Sequence, residues 1–279
     1  MHSILLELGP FTLKAFGLMM ALGFACAWYA AVRLSRGTHR NPDYISNLVV
    51  WLMLSGILGA RLAYVAEHWT QEFASHPSAI LRVDMGGLMF YGGLAGATLA
   101  LFLFARWRRE PFLALADLLL AVLPLGHGFG RIGCFLNGCC HGHISHSWLA
   151  VTFPAYSPAW EQQVDNGDIS PTAAQSDPVL PTQLIEAAAN LLLFLLLYRL
   201  YRRHQERHGL VTGTYLMAYA VIRFLVEPLR GDSRLQVAGV WSIGQFISIL
   251  LFVAGASILL WRRRAAPAKA ASESKTPAQ

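Results

Sequence analysis

The sequence predicts an all-α, polytopic membrane protein of about seven transmembrane helices, and three observations carry that prediction. Hydrophobic residues make up 55% of the 279 positions and charged residues only 14%, where soluble domains carry about a quarter charged. The apolar residues fall in runs of roughly twenty without amphipathic period, the length that crosses a bilayer core. The basic residues collect in alternate connections between those runs.

The runs place spans at Phe11–Val32, Ile45–Val65, Gly87–Ala105, Phe112–Gly126, Pro181–Tyr201, Leu210–Val226 and Val240–Trp261. The fourth is short unless its glycine-rich end continues into the bilayer. The first lacks a basic leader and is too long for the core of a cleavable signal peptide. No internal repeat is visible. Residues 1–264 therefore form one transmembrane domain, and residues 265–279, rich in Ala, Pro, Ser and Lys, form a tail expected to be disordered.

Orientation follows from charge. Arg33, Arg36 and Arg40, then Arg106, Arg108 and Arg109, then Arg199, Arg202, Arg203 and Arg207, then Arg262, Arg263, Arg264, Lys269 and Lys275 share one side if seven spans alternate. That side is cytoplasmic by the positive-inside rule, with the N-terminus outside and the C-terminus inside. These anchors account for the net charge of +6, so the charge is no argument for nucleic acid. The loop 142–180 has no Lys or Arg but holds Glu161, Asp165, Asp168, Asp177, Trp148 and Trp160. It suits a small extracytoplasmic cap with interfacial aromatics.

The remaining basic residues are Lys14, Arg61, Arg82, Arg131, Arg223, Arg230 and Arg234, all toward the outer side. Arg82 and Arg234 lie in loops, where solvation explains them. Arg61, Arg131 and Arg223 lie in or at the edge of spans; such arginines either snorkel to the headgroups or face a polar cavity. Arg131 sits in Gly-His-Gly-Phe-Gly-Arg-Ile-Gly-Cys-Phe-Leu-Asn-Gly-Cys-Cys-His-Gly, residues 126–142. Flexible glycine backbone can turn N–H groups toward an anion, and a guanidinium fork suits phosphate. The segment is expected to hold an anionic lipid headgroup. Arg223 and Glu227 are also spaced as a self-compensating i, i+4 pair.

Cys26 suits helix packing. Cys134, Cys139 and Cys140, followed by His141 and His143, leave several readings open. They are free packing thiols, or a local disulfide from Cys134 to Cys139 or Cys140. A metal site is disfavoured because zinc ligands usually come as two separated pairs, and a nucleophilic cysteine lacks a dedicated base nearby.

The motif Gly130-Arg131-Ile132-Gly133-Cys134-Phe135-Leu136-Asn137-Gly138 with Gly142 resembles the signature of bacterial prolipoprotein diacylglyceryl transferases. The resemblance extends in order through Gly9-Pro10…Phe16-Gly17-Leu18-Met19, Gly59-Ala60-Arg61, Gly86-Gly87-Leu88-Met89-Phe90-Tyr91-Gly92-Gly93-Leu94, Asp117, Pro181-Thr182-Gln183-Leu184-Ile185-Glu186 and Arg223-Phe224-Leu225-Val226-Glu227…Arg230-Gly231-Asp232. It implies transfer of the diacylglyceryl group of phosphatidylglycerol to the lipobox cysteine of a prolipoprotein in the bacterial inner membrane. A thioether forms and glycerol 1-phosphate leaves.

Carried over by position, the resemblance makes Arg131 and Arg223 essential, with Asp117, Glu227, Arg230, Asn137 and Gly142 supporting them. Arg61 is expected to join the headgroup site. Many members have Tyr at Phe16, His at Tyr91, Asn at Cys134 and Glu at Cys139. Tyr91 thus occupies the position of a histidine often proposed as catalytic, and is expected to outrank His127 and His143 in importance. The attacking sulfur belongs to the substrate, so no metal or organic cofactor is demanded.

Two other classes compete. A retinal receptor is excluded, since the only lysines, Lys14, Lys269 and Lys275, leave no mid-span Schiff-base former. A non-catalytic phospholipid-binding or lipid-translocating protein remains the rival.

Overall fold

The computed structural model of the chain describes residues 4–8, 11–36, 38, 40–74, 77–82, 86–231, 236–237 and 241–273. The Gly9-Pro10 step, Asp232, Arg234 and residues 274–279 lie outside them. Seven helices are long and apolar enough to cross a membrane, as the runs predict. They are α1 (Ala15–Ser35), α2 (Pro42–Glu67), α3 (Phe90–Arg108), α4 (Phe112–Asn137), α6 (Thr182–Arg203), α7 (Leu210–Val226) and α8 (Ile243–Glu273), with the short α5 (Pro158–Asn166) in the cap.

Three boundaries differ from expectation. Residues Phe11–Lys14 are not helix but the second strand of an antiparallel hairpin, β1 (Ile4–Leu8) against β2 (Phe11–Lys14). The expected tail is helical as far as Glu273, since Ala fills five of the nine positions 265–273 and favours helix. Most consequential, α4 does not stop at Gly126 but runs through the glycine-rich signature to Asn137. Its N–H groups are therefore committed to the helix and do not cradle an anion. The glycines serve close approach instead: a Cβ on Gly133 would lie 3.2 Å from atoms of Phe16 and Met19 on α1, and one on Gly128 would lie 3.0 Å from Leu191 on α6. Small residues permit such contact where lipid supplies no hydrophobic drive between helices.

α4 is the central post. It packs on α1, α6 and α7, while α2 pairs with α3 and α7 with α8. Leu118, Ala121, Val122, Leu193, Leu197 and Val211 form the middle of the main core. The α2/α3 pair is closer still: a Cβ on Gly59 would sit 2.5 Å from the Gly92 carbonyl oxygen. At the end bearing the basic anchors, Arg40 is not solvated. It is buried and donates Nε to Glu110 at 2.8 Å, tying the α1–α2 connection to the α3–α4 connection.

Two polar residues expected near the chemistry prove to be architectural. Asp117 is buried in α4 and accepts from Gly209 N at 2.6 Å, Thr212 N at 2.7 Å and Thr212 Oγ1 at 2.6 Å. It caps the N-terminus of α7 from a neighbouring helix, where a carboxylate meets both orphan donors and the positive helix end. Asp117→Asn should therefore destabilise the protein by about 1–2 kcal/mol, measured as thermal unfolding in detergent, with KM for lipid little changed.

Arg61 is the second. Its Nε donates to Ile80 O at 2.9 Å, Nη1 to Gly86 O at 3.2 Å and Gly87 O at 3.0 Å, and Nη2 to Ala79 O at 2.6 Å and Arg82 O at 2.7 Å. All five guanidinium N–H bonds are thus occupied by carbonyls of one loop. Arg61 organises the α2–α3 connection and has no donor left for a headgroup.

Candidate active site

The continuation of α4 brings His127 and Arg131, one helical turn apart, onto one face. α6 contributes Glu186 from its second turn, and α7 contributes Arg223 from its last. Arg131 Nε pairs with Glu186 Oε2, and Arg223 Nη1 lies 3.0 Å from Glu186 Oε1. One buried carboxylate, 3% exposed, therefore joins arginines from two helices. Arg223 Nη2 also lies 2.6 Å from Glu227 Oε2, and Ser242 Oγ donates to Glu227 Oε1 at 2.7 Å. The expected i, i+4 pair exists, but it is one link in a chain running Arg131–Glu186–Arg223–Glu227–Ser242.

Two features make this cluster suited to an anion. The charges of Arg131, Arg223, Glu186 and Glu227 cancel, so the helices can hold them away from water at tolerable cost. Yet Arg131 is engaged through Nε, and among the described residues its terminal Nη1 and Nη2 carry no hydrogen bond. That is the edge that binds phosphate bidentately. Tyr219 on α7 lies in the joint field of Glu186, Arg223, Arg131 and Arg230, which places Arg230 in the same locality. The His127 ring centroid is 5.4 Å from that of Tyr219, and His127 feels Arg131 and Arg223.

Gly142 has a different task. Its N–H donates to Leu180 O at 2.8 Å, His143 N to Leu229 O at 3.1 Å, and Gly231 N to His141 O at 3.0 Å. Three chain segments, from the signature, the end of the cap and the end of α7, cross at this point. A Cβ on Gly142 would lie 2.7 Å from both Leu229 O and Leu180 Cβ, so no side chain fits. Gly142 fixes the backbone of Arg230, with which it pairs as a β-bridge. From the cap, Gln162 Nε2 donates to Gly231 O at 2.9 Å and steadies the same crossing.

Of the expected site residues, the structure joins Arg131, Arg223 and Glu227 in one ion-pair chain through Glu186, and Arg230 acts on Tyr219 electrostatically with them. Asn137 ends α4 and lines a separate cleft with Phe153, Tyr156 and Glu161. Tyr91 is 59% exposed near the start of α3, packs edge-on against Phe90, and its hydroxyl makes no hydrogen bond among the described residues. Arg61 stands apart. The residue that sequence reasoning underused is Glu186, quoted within a motif but given no role. A solitary acid in the apolar run 181–201 was the available signal, because an intramembrane carboxylate needs a partner.

Beyond Gly138, hydrogen bonds from the Cys134 and Cys139 thiols, then the Arg230 and Arg131 guanidiniums, hold the Cys140 thiol below its usual range.

A family model described as prolipoprotein diacylglyceryl transferase matches residues 3–261. The chain belongs to that family. Among similar proteins, the phosphatidylglycerol–prolipoprotein diacylglyceryl transferase of Pseudoalteromonas atlantica is 34% identical over 94% of this chain and 89% of its own length. Its counterpart from Shigella boydii is 31% identical over 95% and 94%, and transferase 2 of Clostridium perfringens is 34% identical over 94% of each. The family match, residues 3–261, covers the first six membrane-crossing helices, α8 as far as Trp261 and the arginine–glutamate chain, so the cluster lies within the matched region and not in an appended segment.

Proposed function

We propose that this chain transfers the diacylglyceryl group of phosphatidylglycerol to the lipobox cysteine of a prolipoprotein, as a multi-pass enzyme of the bacterial inner membrane. The observation that carries the reading is the pair of arginines from α4 and α7 locked on Glu186, with the outer edge of Arg131 left for phosphate. In this reading the headgroup phosphate sits against Nη1 and Nη2 of Arg131, with Arg223 and Arg230 adding to the field.

The substrate thiolate attacks the carbon of the diacylglyceryl unit that bears the phosphoester, not that of the headgroup glycerol. The C–O bond breaks as the C–S bond forms, and glycerol 1-phosphate leaves with the electron pair. Charge develops on the departing oxygen, where fixed guanidiniums in a poorly hydrated site are most effective. Glu186 and Glu227 hold the forks in place so that no reorganisation is needed during the step. The chain's own thiols are unsuited to relay the group: a thioether formed on Cys140 would be a poor leaving group, and the enzyme would stop after one turnover.

The thiol proton needs an acceptor. Tyr91 holds the position expected of it, but His127 is the better placed, its ring 5.4 Å from that of Tyr219 and one helical turn from Arg131. His127→Ala is expected to lower kcat by about 10²–10⁴-fold, and Tyr91→Phe by much less, in turnover measured across pH. Near-normal His127→Ala beside a collapsed Tyr91→Phe returns the role to Tyr91.

The whole proposal is tested by incubating the purified full-length chain with phosphatidylglycerol micelles and a lipobox peptide. Glycerol 1-phosphate should appear in step with diacylglyceryl peptide. Lipid binding without release would instead support a non-catalytic phospholipid binder or translocator.

A further inference from the structure

We infer that Cys134, Cys139 and Cys140 form a three-thiolate site for a thiophilic d10 cation, of the class of Cu(I) or Zn(II). Their Sγ atoms all lie within 4.8 Å of one another. Three sulfurs bound at about 2.3 Å from one ion stand about 4 Å apart, so small rotamer changes bring these into coordination. A disulfide would need only two of them and does not account for the third.

The convergence is built by the backbone. α4 ends in a turn in which Gly138 takes φ 77° and Cys139 N donates to Cys134 O at 3.1 Å, the reversal that folds a chain back over its last helical turn. Cys139 thereby returns above Cys134. Cys140 then adopts φ 60°, a conformation that non-glycine residues hold only when their surroundings enforce it. The enforcement comes from α6. Gln183 Nε2 donates to Cys139 O at 2.8 Å and Thr182 Oγ1 to Cys140 O at 3.0 Å, and both residues are 1% exposed. Side chains that hold the ligand backbone rigid in this way are the usual support of a metal site.

The charges are compatible. Three thiols and Cu(I) give a trithiolate complex of charge −2 and three protons; with Zn(II) and one water the complex carries −1. Arg131 and Arg230 act electrostatically on Cys140 and offset that negative charge. Soft thiolates select Cu(I) and Zn(II) over hard cations. Spacing alone argued against a metal because it shows no second pair of ligands; the turn supplies three ligands from one end of a helix. The inference stands apart from the transfer reaction, since its readout is metal binding alone.

The experiment uses reduced full-length protein in detergent, titrated with Cu(I) and, separately, Zn(II) against a competing chelator, with X-ray absorption on the bound ion. One ion per chain with a three-sulfur shell is expected, and the preferred ion is read from the two arms. Cys134→Ser, Cys139→Ser and Cys140→Ala should each weaken binding at least about tenfold, whereas Cys26→Ser, within α1, should not. Helical circular dichroism confirms that each variant is folded. The inference is overturned by a sulfur-free shell, by equal binding in the triple variant, or by no uptake in reduced protein whose oxidised form carries a disulfide among the three.

Discussion

Arg131→Lys should lower kcat/KM for diacylglyceryl transfer by about 10²–10³-fold, the cost of removing one fixed donor from a developing oxyanion. Lysine keeps the charge but has a single nitrogen. It can pair with Glu186 or meet the phosphate, whereas Arg131 pairs through Nε and keeps its two terminal nitrogens for the ligand. Cys139→Ser and Cys140→Ser are the informative controls, since the attacking sulfur comes from the peptide; both should retain most activity. Turnover is measured in the glycerol 1-phosphate assay, with insertion checked by gel filtration in detergent. A fully active Arg131→Lys would show that charge alone suffices and would remove the fork from the mechanism.

Glu186→Gln should do more than slow the reaction. Among the described residues this carboxylate is the one group paired with both Arg131 and Arg223, and removing one partner of a buried ionic cluster typically costs about 3–5 kcal/mol. Glutamine matches the shape but leaves two guanidiniums facing each other without the intervening charge. A lower thermal midpoint and a loss of transfer should therefore appear together. Glu186→Asp, one methylene shorter, should recover part of the stability but less of the activity, because it can no longer reach both arginines at once. Unchanged stability in Glu186→Gln would mean that the arginines are held by other contacts and that Glu186 is incidental.

The contrast with Asp117 is instructive. Both are acids inside apolar spans, and the same rule flags both as candidates for function. Asp117 spends its oxygens on the backbone and hydroxyl at the start of α7; Glu186 spends its oxygens on two guanidiniums. Burial and residue type are shared, and only the partners separate a cap from a member of the site. Arg61 and Arg131 repeat the lesson among cations. Each looks like an expensive arginine near the edge of the bilayer, but one is saturated by loop carbonyls and the other keeps its terminal donors.

The seven-span plan was legible in the sequence because it depends on the length and polarity of each run taken separately, which is how a bilayer acts on a chain. That Arg131 and Arg223 need partners within the protein was legible for the same reason: a charge among apolar residues is costly wherever its neighbours are. The fate of the glycine-rich signature was not. Glycine is compatible both with a loop that wraps an anion and with a helix that approaches another closely, and only the packing of α4 on α1 and α6 selects the helix. Gly142 is marked by the signature as a supporting residue, and only the fold shows that its lack of a side chain serves a crossing of three segments drawn from residues 141–143, 180 and 229–231. What the tertiary structure decided was which partners each polar group meets. Those partners lie on other helices, tens of residues away, and a one-dimensional pattern records the cost of a buried charge without recording what relieves it.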